Sequence, residues 1–288
     1  MTRLSRAVAA LLPFVFLLSF CSPAREDAAR AEKIRRIISL SPSITRQIVD
    51  LGSASLLAGV TSYDDYRAPG ITMVGTLIQP NLETIIALRP DVVLYSGEDG
   101  PVQSVERLRD AGVPLRRFDR NRNFSDICRS YVALGDLLGK GRTARHKAAG
   151  YERTLLRAAP ERPAAGGPRP RVAFYLSYRP LIAVSSGSFI GRIIADAGGE
   201  CAYREAGRPY PMVSIESLAD ADPDVVIVMA GEDPGPFFRE LADGFRDLKA
   251  VAAGRVYPIP ADSIPYYTPA DYVKSVERVA GMLALKNH

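Results

Sequence analysis

The sequence predicts an α/β protein built from two similar lobes, each around an open parallel sheet. Three observations carry that prediction. The first is a self-similarity between the two halves of the chain, at one constant offset. Asn81-Leu82-Glu83 is followed by Pro90-Asp91-Val92-Val93-Leu94, and Ser214-Ile215-Glu216 by Pro223-Asp224-Val225-Val226-Ile227. In both copies Pro falls seven residues after the Glu, Asp eight and the first Val nine, so the chain repeats one structural unit. The second is the alternation of short apolar runs with helical segments, the pattern of parallel sheets with crossover helices. The third is composition. The 288 residues are 47% hydrophobic and 24% charged, which fits one large soluble domain or two lobes and excludes disordered, collagen-like and polytopic membrane chains.

Each copy opens on a β-rich run, Arg36-Ile37-Ile38-Ser39-Leu40 and Arg171-Val172-Ala173-Phe174-Tyr175, at a similar distance before its Glu. Asn81 and Ser214 are good N-caps, and Glu83 and Glu216 fall in the first helical turn, where a carboxylate complements the helix dipole. Pro90 and Pro223 end those helices, and the Val-rich runs after them read as buried parallel strands. Further strands are expected at 56–60, 114–118 and 255–259.

Between the copies, Phe124, Ile127, Cys128, Tyr131, Leu134, Leu137 and Leu138 keep helical spacing until Gly139-Lys140-Gly141 interrupts it. A second helix is expected over 142–159, with Ala144, Ala148, Tyr151 and Leu155 on one stripe. Eighteen residues would span about 27 Å, enough to cross from one lobe to the other. The Pro-, Gly- and Ala-rich run 160–170 ends it. Ser185-Ser186-Gly187-Ser188 reads as a loop capping a helix that starts near Phe189. A last helix is expected over 269–285, with Tyr272, Val276, Val279 and Leu283 as its apolar face.

The N-terminus is of another kind. Met1 to Arg6 is basic, and Ala7 to Phe20 is apolar apart from Ser19 and Pro13. About fourteen residues is short of the roughly twenty a membrane span needs, so this reads as a secretory signal. Leu18-Ser19-Phe20-Cys21 resembles the bacterial lipobox, which implies lipidation at Cys21 and a membrane-anchored, exported protein; Phe20 departs from the small residue that motif carries. Cleavage near Ala24 to give a soluble secreted protein is the alternative. The expected organisation is therefore a signal at 1–21, a tether at 22–35, a first lobe at 36–122, a helical linker at 123–160 and a second lobe at 170–288.

Charge and rare residues narrow the function. Lys plus Arg minus Asp plus Glu is 37 − 32 = +5, and without Arg3 and Arg6 the chain from residue 21 carries only +3, too dispersed to argue for nucleic acid. Three Cys cannot make a disulfide-dense scaffold, and two His nearly exclude a multi-His metal site or a His relay. Cys128 and Cys201 fall in different structural units and read as buried small hydrophobes, with a disulfide between them as the alternative. His146 reads as a surface residue, and Arg116, Arg117, Arg120 and Arg122 with Asp119 as a solvated basic loop.

Arg36 to Ser43, Ser62-Tyr63-Asp64-Asp65-Tyr66, Asn81-Leu82-Glu83 and Ala87-Leu88-Arg89-Pro90-Asp91 together resemble the substrate-binding proteins of ABC importers for cobalamin, haem and ferric siderophores. Gly198-Gly199-Glu200, Pro209-Tyr210-Pro211 and Val213-Ser214-Ile215-Glu216 continue the resemblance, which covers about residues 34 to 286. It implies two Rossmann-like lobes joined by one rigid helix, with a metal chelate bound in the cleft between them and only small closure motions. It also implies that Glu83 and Glu216 pair with arginines of a permease that works with its ATPase. Helix-dipole compensation explains either glutamate singly but not their matched placement.

Ligand residues follow less directly. Among thirteen tyrosines, Tyr63, Tyr66, Tyr95, Tyr178, Tyr210, Tyr266 and Tyr267 fall where loops leave expected strands, the place where α/β sheets bind ligands, and flat aromatic side chains suit a macrocycle. The resemblance places Tyr210 at an aromatic pocket position, Asp262 at that of a pocket acid, and Tyr266 where the cobalamin binders carry a basic residue. Those relatives use Trp where this chain has Leu77, Ser96 and Tyr210. Tyrosine hydroxyls equally suit haem or an Fe(III) chelate, because phenolate is a hard donor, and Arg67, Arg179 and Arg208 are nearby candidates for anionic groups. The ligand class stays open among the three. The expected protein is a monomer without catalytic residues, resident metal or cofactor. A ligand sensor of the same fold and an exported two-lobed enzyme are the rivals, the latter lacking a nucleophile–base pair.

Overall fold

The computed structural model describes residues 34–76, 79–97, 102–119, 121–158, 168–204, 207–230, 235–260 and 266–284. The expected signal, Cys21, most of the tether, Leu77, Arg120 and Asp262 lie outside them.

The first lobe runs β1 (Ile37–Ser39), α1 (Pro42–Asp50), β2 (Leu57–Val60), β3 (Thr72–Met73), α2 (Leu82–Ala87), β4 (Val92–Ser96), α3 (Val102–Asp110) and β5 (Leu115–Phe118). Its sheet has the order β3-β2-β1-β4-β5 and every pairing is parallel. Strand neighbours alternate faces. Ile37, Val92 and Leu94 join the core under α1, whereas Ile38, Val93 and Leu115 pack on the other face with Ile85 and Leu108. Both faces are covered, which is why these strands read as continuous apolar runs.

Two helices connect the lobes, α4 (Phe124–Leu137) and α5 (Gly141–Ala158). Asn123 caps α4 by accepting the Asp126 N–H at 2.9 Å. A Cβ on Gly135 would lie 2.3 Å from the Ala144 Cβ, so glycine is what lets the two helices approach. The expected stripe on α5 divides between the lobes: Ala144 and Ala148 belong to the first lobe's core, and Tyr151 and Leu155 pack on the second's. This helix therefore spans both. Asp50, at the end of α1, holds it down. Its carboxylate accepts from Lys147 Nζ at 2.9 Å, from Tyr151 Oη at 3.2 Å and from Tyr131 Oη, and its carbonyl takes Lys147 Nζ at 2.6 Å. Loss of hydration, then the nearby Asp50 charge, push the Tyr151 hydroxyl up to about 12.

The second lobe runs β6 (Arg171–Tyr178), β7 (Leu181–Ala183), α6 (Phe189–Asp196), β8 (Glu200–Cys201), α7 (Glu216–Ala221), β9 (Val225–Ala230), α8 (Gly235–Gly244), α9 (Lys249–Ala252), β10 (Val256–Pro260) and α10 (Pro269–Ala284). Its sheet, β10-β9-β6-β7, is not wholly parallel as expected. β7 folds back antiparallel on the end of β6, while β8 pairs parallel with its start. Ser188 caps α6 by accepting the Gly191 N–H at 2.9 Å. Tyr272, Val276 and Val279 of α10 are buried in the lobe's core.

The repeat is visible in the backbone. Asp91 and Asp224 sit at equivalent positions before β4 and β9. Arg89 and Asp222, which also correspond in the two copies, are the two described non-glycine residues with positive φ, at 45° and 35°. Each precedes a proline, which disfavours the right-handed helical conformation. Ser214 is not the N-cap that the sequence predicts: α7 begins a residue later than α2, with Ile215 at its N-cap position. Ser214 Oγ accepts the Ser217 N–H only at 3.4 Å, whereas Asn81 caps α2 at 3.0 Å. Cys128 and Cys201 are free thiols, and loss of hydration pushes each up to about 12.

Candidate functional site: an inter-lobe groove and two matched glutamates

In a parallel sheet the C-terminal strand ends share one edge, and ligands bind outside it. Here α1, the helix that follows β1, meets the segment after β10. The Tyr267 N–H donates to Ser43 Oγ at 3.1 Å, and Gln47 Nε2 donates to the Tyr267 carbonyl at 2.7 Å. The two lobes thus touch through residues that follow strand ends.

Beside this contact lies a groove of about 380 Å³, lined by Arg46, Asp50, Tyr66, Tyr131, Asp271 and Lys274 among others. Arg46 is its central group. It pairs with Asp65 in its own lobe, reaches Asp271 of the other at 3.8 Å, and lies 3.9 Å from the Tyr266 ring centroid. That stacking is a cation–π contact. It sets a positive charge of the first lobe against an aromatic ring of the second.

Next to Asp65 in the chain, Asp64 is only 2% exposed. Its Oδ2 takes a hydrogen bond from Thr61 Oγ1 at 3.3 Å, and its Oδ1 is buried with no partner among the described residues. Desolvation raises its pKa from 3.8 to about 6, against hydrogen bonds from Thr45 and Thr61 that lower it.

The candidate tyrosines separate. Tyr66, Tyr266 and Tyr267 gather around Arg46 and Gln47, and Tyr267 also packs on Phe189 with ring centroids 4.4 Å apart. Tyr63, 60% exposed, and Tyr210, 37% exposed, offer their rings to solvent. Tyr95 is half-buried against the first lobe's core, and Tyr178 lies 6.0 Å from Phe237. Arg46, Gln47 and Ser43 were not among the sequence candidates. Their spacing on one face of α1, immediately after a parallel strand, was the available signal.

Glu83 and Glu216 are both exposed in the first turn of α2 and α7. Hydrogen bonds from the Ser214 side chain and from its own backbone N–H hold the Glu216 carboxyl below the ordinary carboxylate range. Both carboxylates are thus accessible to a partner. Among the described residues no helix is long and apolar enough to cross a membrane.

A family model for periplasmic binding proteins matches residues 37–263. The chain belongs to that family. It is 27% identical over 244 residues to a vitamin B12-binding protein of Vibrio parahaemolyticus, covering 83% of this chain and 86% of the relative. Among solved structures it resembles a possible iron-binding (periplasmic solute-binding) protein of Staphylococcus epidermidis, with TM-score 0.76, 19% identity, and 87% and 99% of the two chains covered. A periplasmic haem-binding protein of Vibrio cholerae gives TM-score 0.74 at 18% identity, with 87% and 99% covered. At such identities the structures establish the fold of this periplasmic binding protein, while the relatives are themselves binding proteins.

Proposed function

We propose that this periplasmic binding protein captures a metal chelate (a corrinoid, haem or a ferric siderophore) between its lobes and delivers it to an ABC permease driven by its ATPase. The observation that carries the reading is the matched pair of glutamates. Two exposed carboxylates at equivalent positions of a duplicated fold suit a symmetric, Arg-bearing partner surface, and such charges set docking register more than affinity. The tyrosines around Arg46 support an aromatic ligand site. The named ligands of the relatives, vitamin B12 and haem, belong to the same chelate class. Lipidation at Cys21 would hold the protein, as a monomer, at a membrane outside the cytoplasm.

The test is a titration of the purified protein with cyanocobalamin, haemin and a set of ferric siderophores, followed by native mass spectrometry and visible absorbance. Tight one-to-one binding of one of them is expected. No binding by any would remove the cargo assignment.

A further inference from the structure

The first sheet ends in an edge strand, β5, and a groove of about 640 Å³ wraps that edge. Four arginines line it: Arg116 and Arg117 from β5, Arg122 from the following loop and Arg129 from α4. Two acids share the lining, Asp119 and Asp126, so its formal charge is 4 − 2 = +2. Asp126 is already engaged, paired with Arg129 and accepting the Arg122 N–H at 3.0 Å. Asp119 is almost fully exposed and reaches Arg117 only at 3.8 Å. Among the described residues, no carboxylate pairs with the guanidinium of Arg116 or Arg122.

The groove is built rather than incidental. Phe118 and Asn121 are buried beneath it, and Ser130 Oγ donates to Asn121 Oδ1 at 2.9 Å. Arg117 crosses the end of β4, where a Cβ on Gly97 would lie 2.8 Å from its guanidinium. That places the groove at the C-terminal edge of the parallel sheet, where ligands of such sheets bind. Charged residues on an edge strand guard against sheet addition, which accounts for Arg116 and Arg117. It does not account for Arg122 and Arg129 converging on the same groove from a loop and a helix. Arg116 and Arg122, whose guanidinium groups pair with no carboxylate among the described residues, add uncompensated positive charge to the groove, and the planar fork of a guanidinium matches carboxylate and phosphate oxygens.

We propose that this groove binds an oxyanion, a carboxylate or phosphate group carried by a small molecule. Two sources share that chemistry: an acidic arm of the chelate, which rests on the function proposed above, and a free anion, which does not.

The test is isothermal titration of the purified protein with citrate, inorganic phosphate and haemin, which carries two carboxylates. Wild type is compared with Arg116→Gln/Arg122→Gln and with the charge-retaining Arg116→Lys/Arg122→Lys, each checked by its melting temperature. We expect citrate or phosphate to bind, to weaken as salt rises, and to lose at least tenfold in affinity in the Gln pair with partial recovery in the Lys pair. A parallel loss for haemin would identify the oxyanion as a cargo arm, and a loss for citrate or phosphate alone would identify a free anion. Equal affinities in wild type and the Gln pair for all three probes, or no binding of any, would overturn the proposal. Arginine-dependent citrate binding in a protein that takes up no chelate would retain this inference and discard the cargo reading.

Discussion

Asp91 and Asp224, equivalent residues of the two copies, perform the same structural task in their respective lobes. Asp91 Oδ2 accepts the backbone N–H of Arg36 at 2.9 Å and of Arg35 at 2.7 Å, while Asp224 Oδ2 accepts that of Arg171 at 2.7 Å. Asp91 returns its own N–H to the Arg36 carbonyl and Asp224 to that of Arg171, each at 2.9 Å. The repeated carboxylate therefore ties the start of each lobe's first strand to the start of its neighbour.

Removing either clamp should loosen its own lobe. Asp91→Ala and Asp224→Ala are each expected to cost about 1–2 kcal/mol, the low end for hydrogen bonds to a charged group because solvent screens these carboxylates near the surface. Urea denaturation checks this. Costs indistinguishable from that of an exposed control such as Asp243→Ala would refute the clamp.

Asp64 should make stability fall as pH rises. Its carboxyl titrates at about 6 in the folded protein and at an ordinary 3.8 when exposed. Between those values the folded state holds the extra proton, so stability is lost from pH 4 to pH 6 and not regained above. The shift corresponds to at most about 3 kcal/mol. Asp64→Asn should raise the melting temperature at pH 7 and flatten its profile between pH 4 and pH 6. An Asn variant that melts at the wild-type temperature at both ends of that range would rule this out.

Glu83 and Glu216 should act on delivery alone. Replacing both with Ala is expected to abolish uptake by cells or proteoliposomes holding the partner permease, with chelate affinity within twofold of wild type. Single replacements should give intermediate rates, since each lobe keeps one contact. Undiminished uptake by the double variant would remove the docking role.

The Ser43–Tyr267 contact should report on the lobe interface. Ser43→Ala removes the acceptor of the Tyr267 N–H, and hydrogen exchange at that amide should quicken tenfold or more while amides of β9 stay protected. Unchanged exchange at Tyr267 would mean that the contact does not hold the lobes.

Much of the architecture was legible because it is written in local periodicity. The duplicated Glu–Pro–Asp–Val pattern fixes two lobes, and the stripe Ala144, Ala148, Tyr151, Leu155 marks a helix long enough to serve both. The short strands were not legible: β3, β7 and β8 have two or three residues each, too few to show a period. The antiparallel return of β7 depends on a turn that brings it back along β6.

Residue chemistry placed Glu83 and Glu216 at helix starts, and the chain alone sufficed for that because a helix N-terminus is a local event. It could not sort the tyrosines, because an amphipathic ring packs equally well in a core or on a cleft wall. Tyr131 and Tyr272 proved to be buried anchors bonded to Asp50 and Asp196. Arg46, near the start of the first lobe, meets Tyr266, near the end of the second. Such pairings depend on how the two lobes dock through α4, α5 and α10, and no pattern along the chain encodes the distance between residues that only packing brings together.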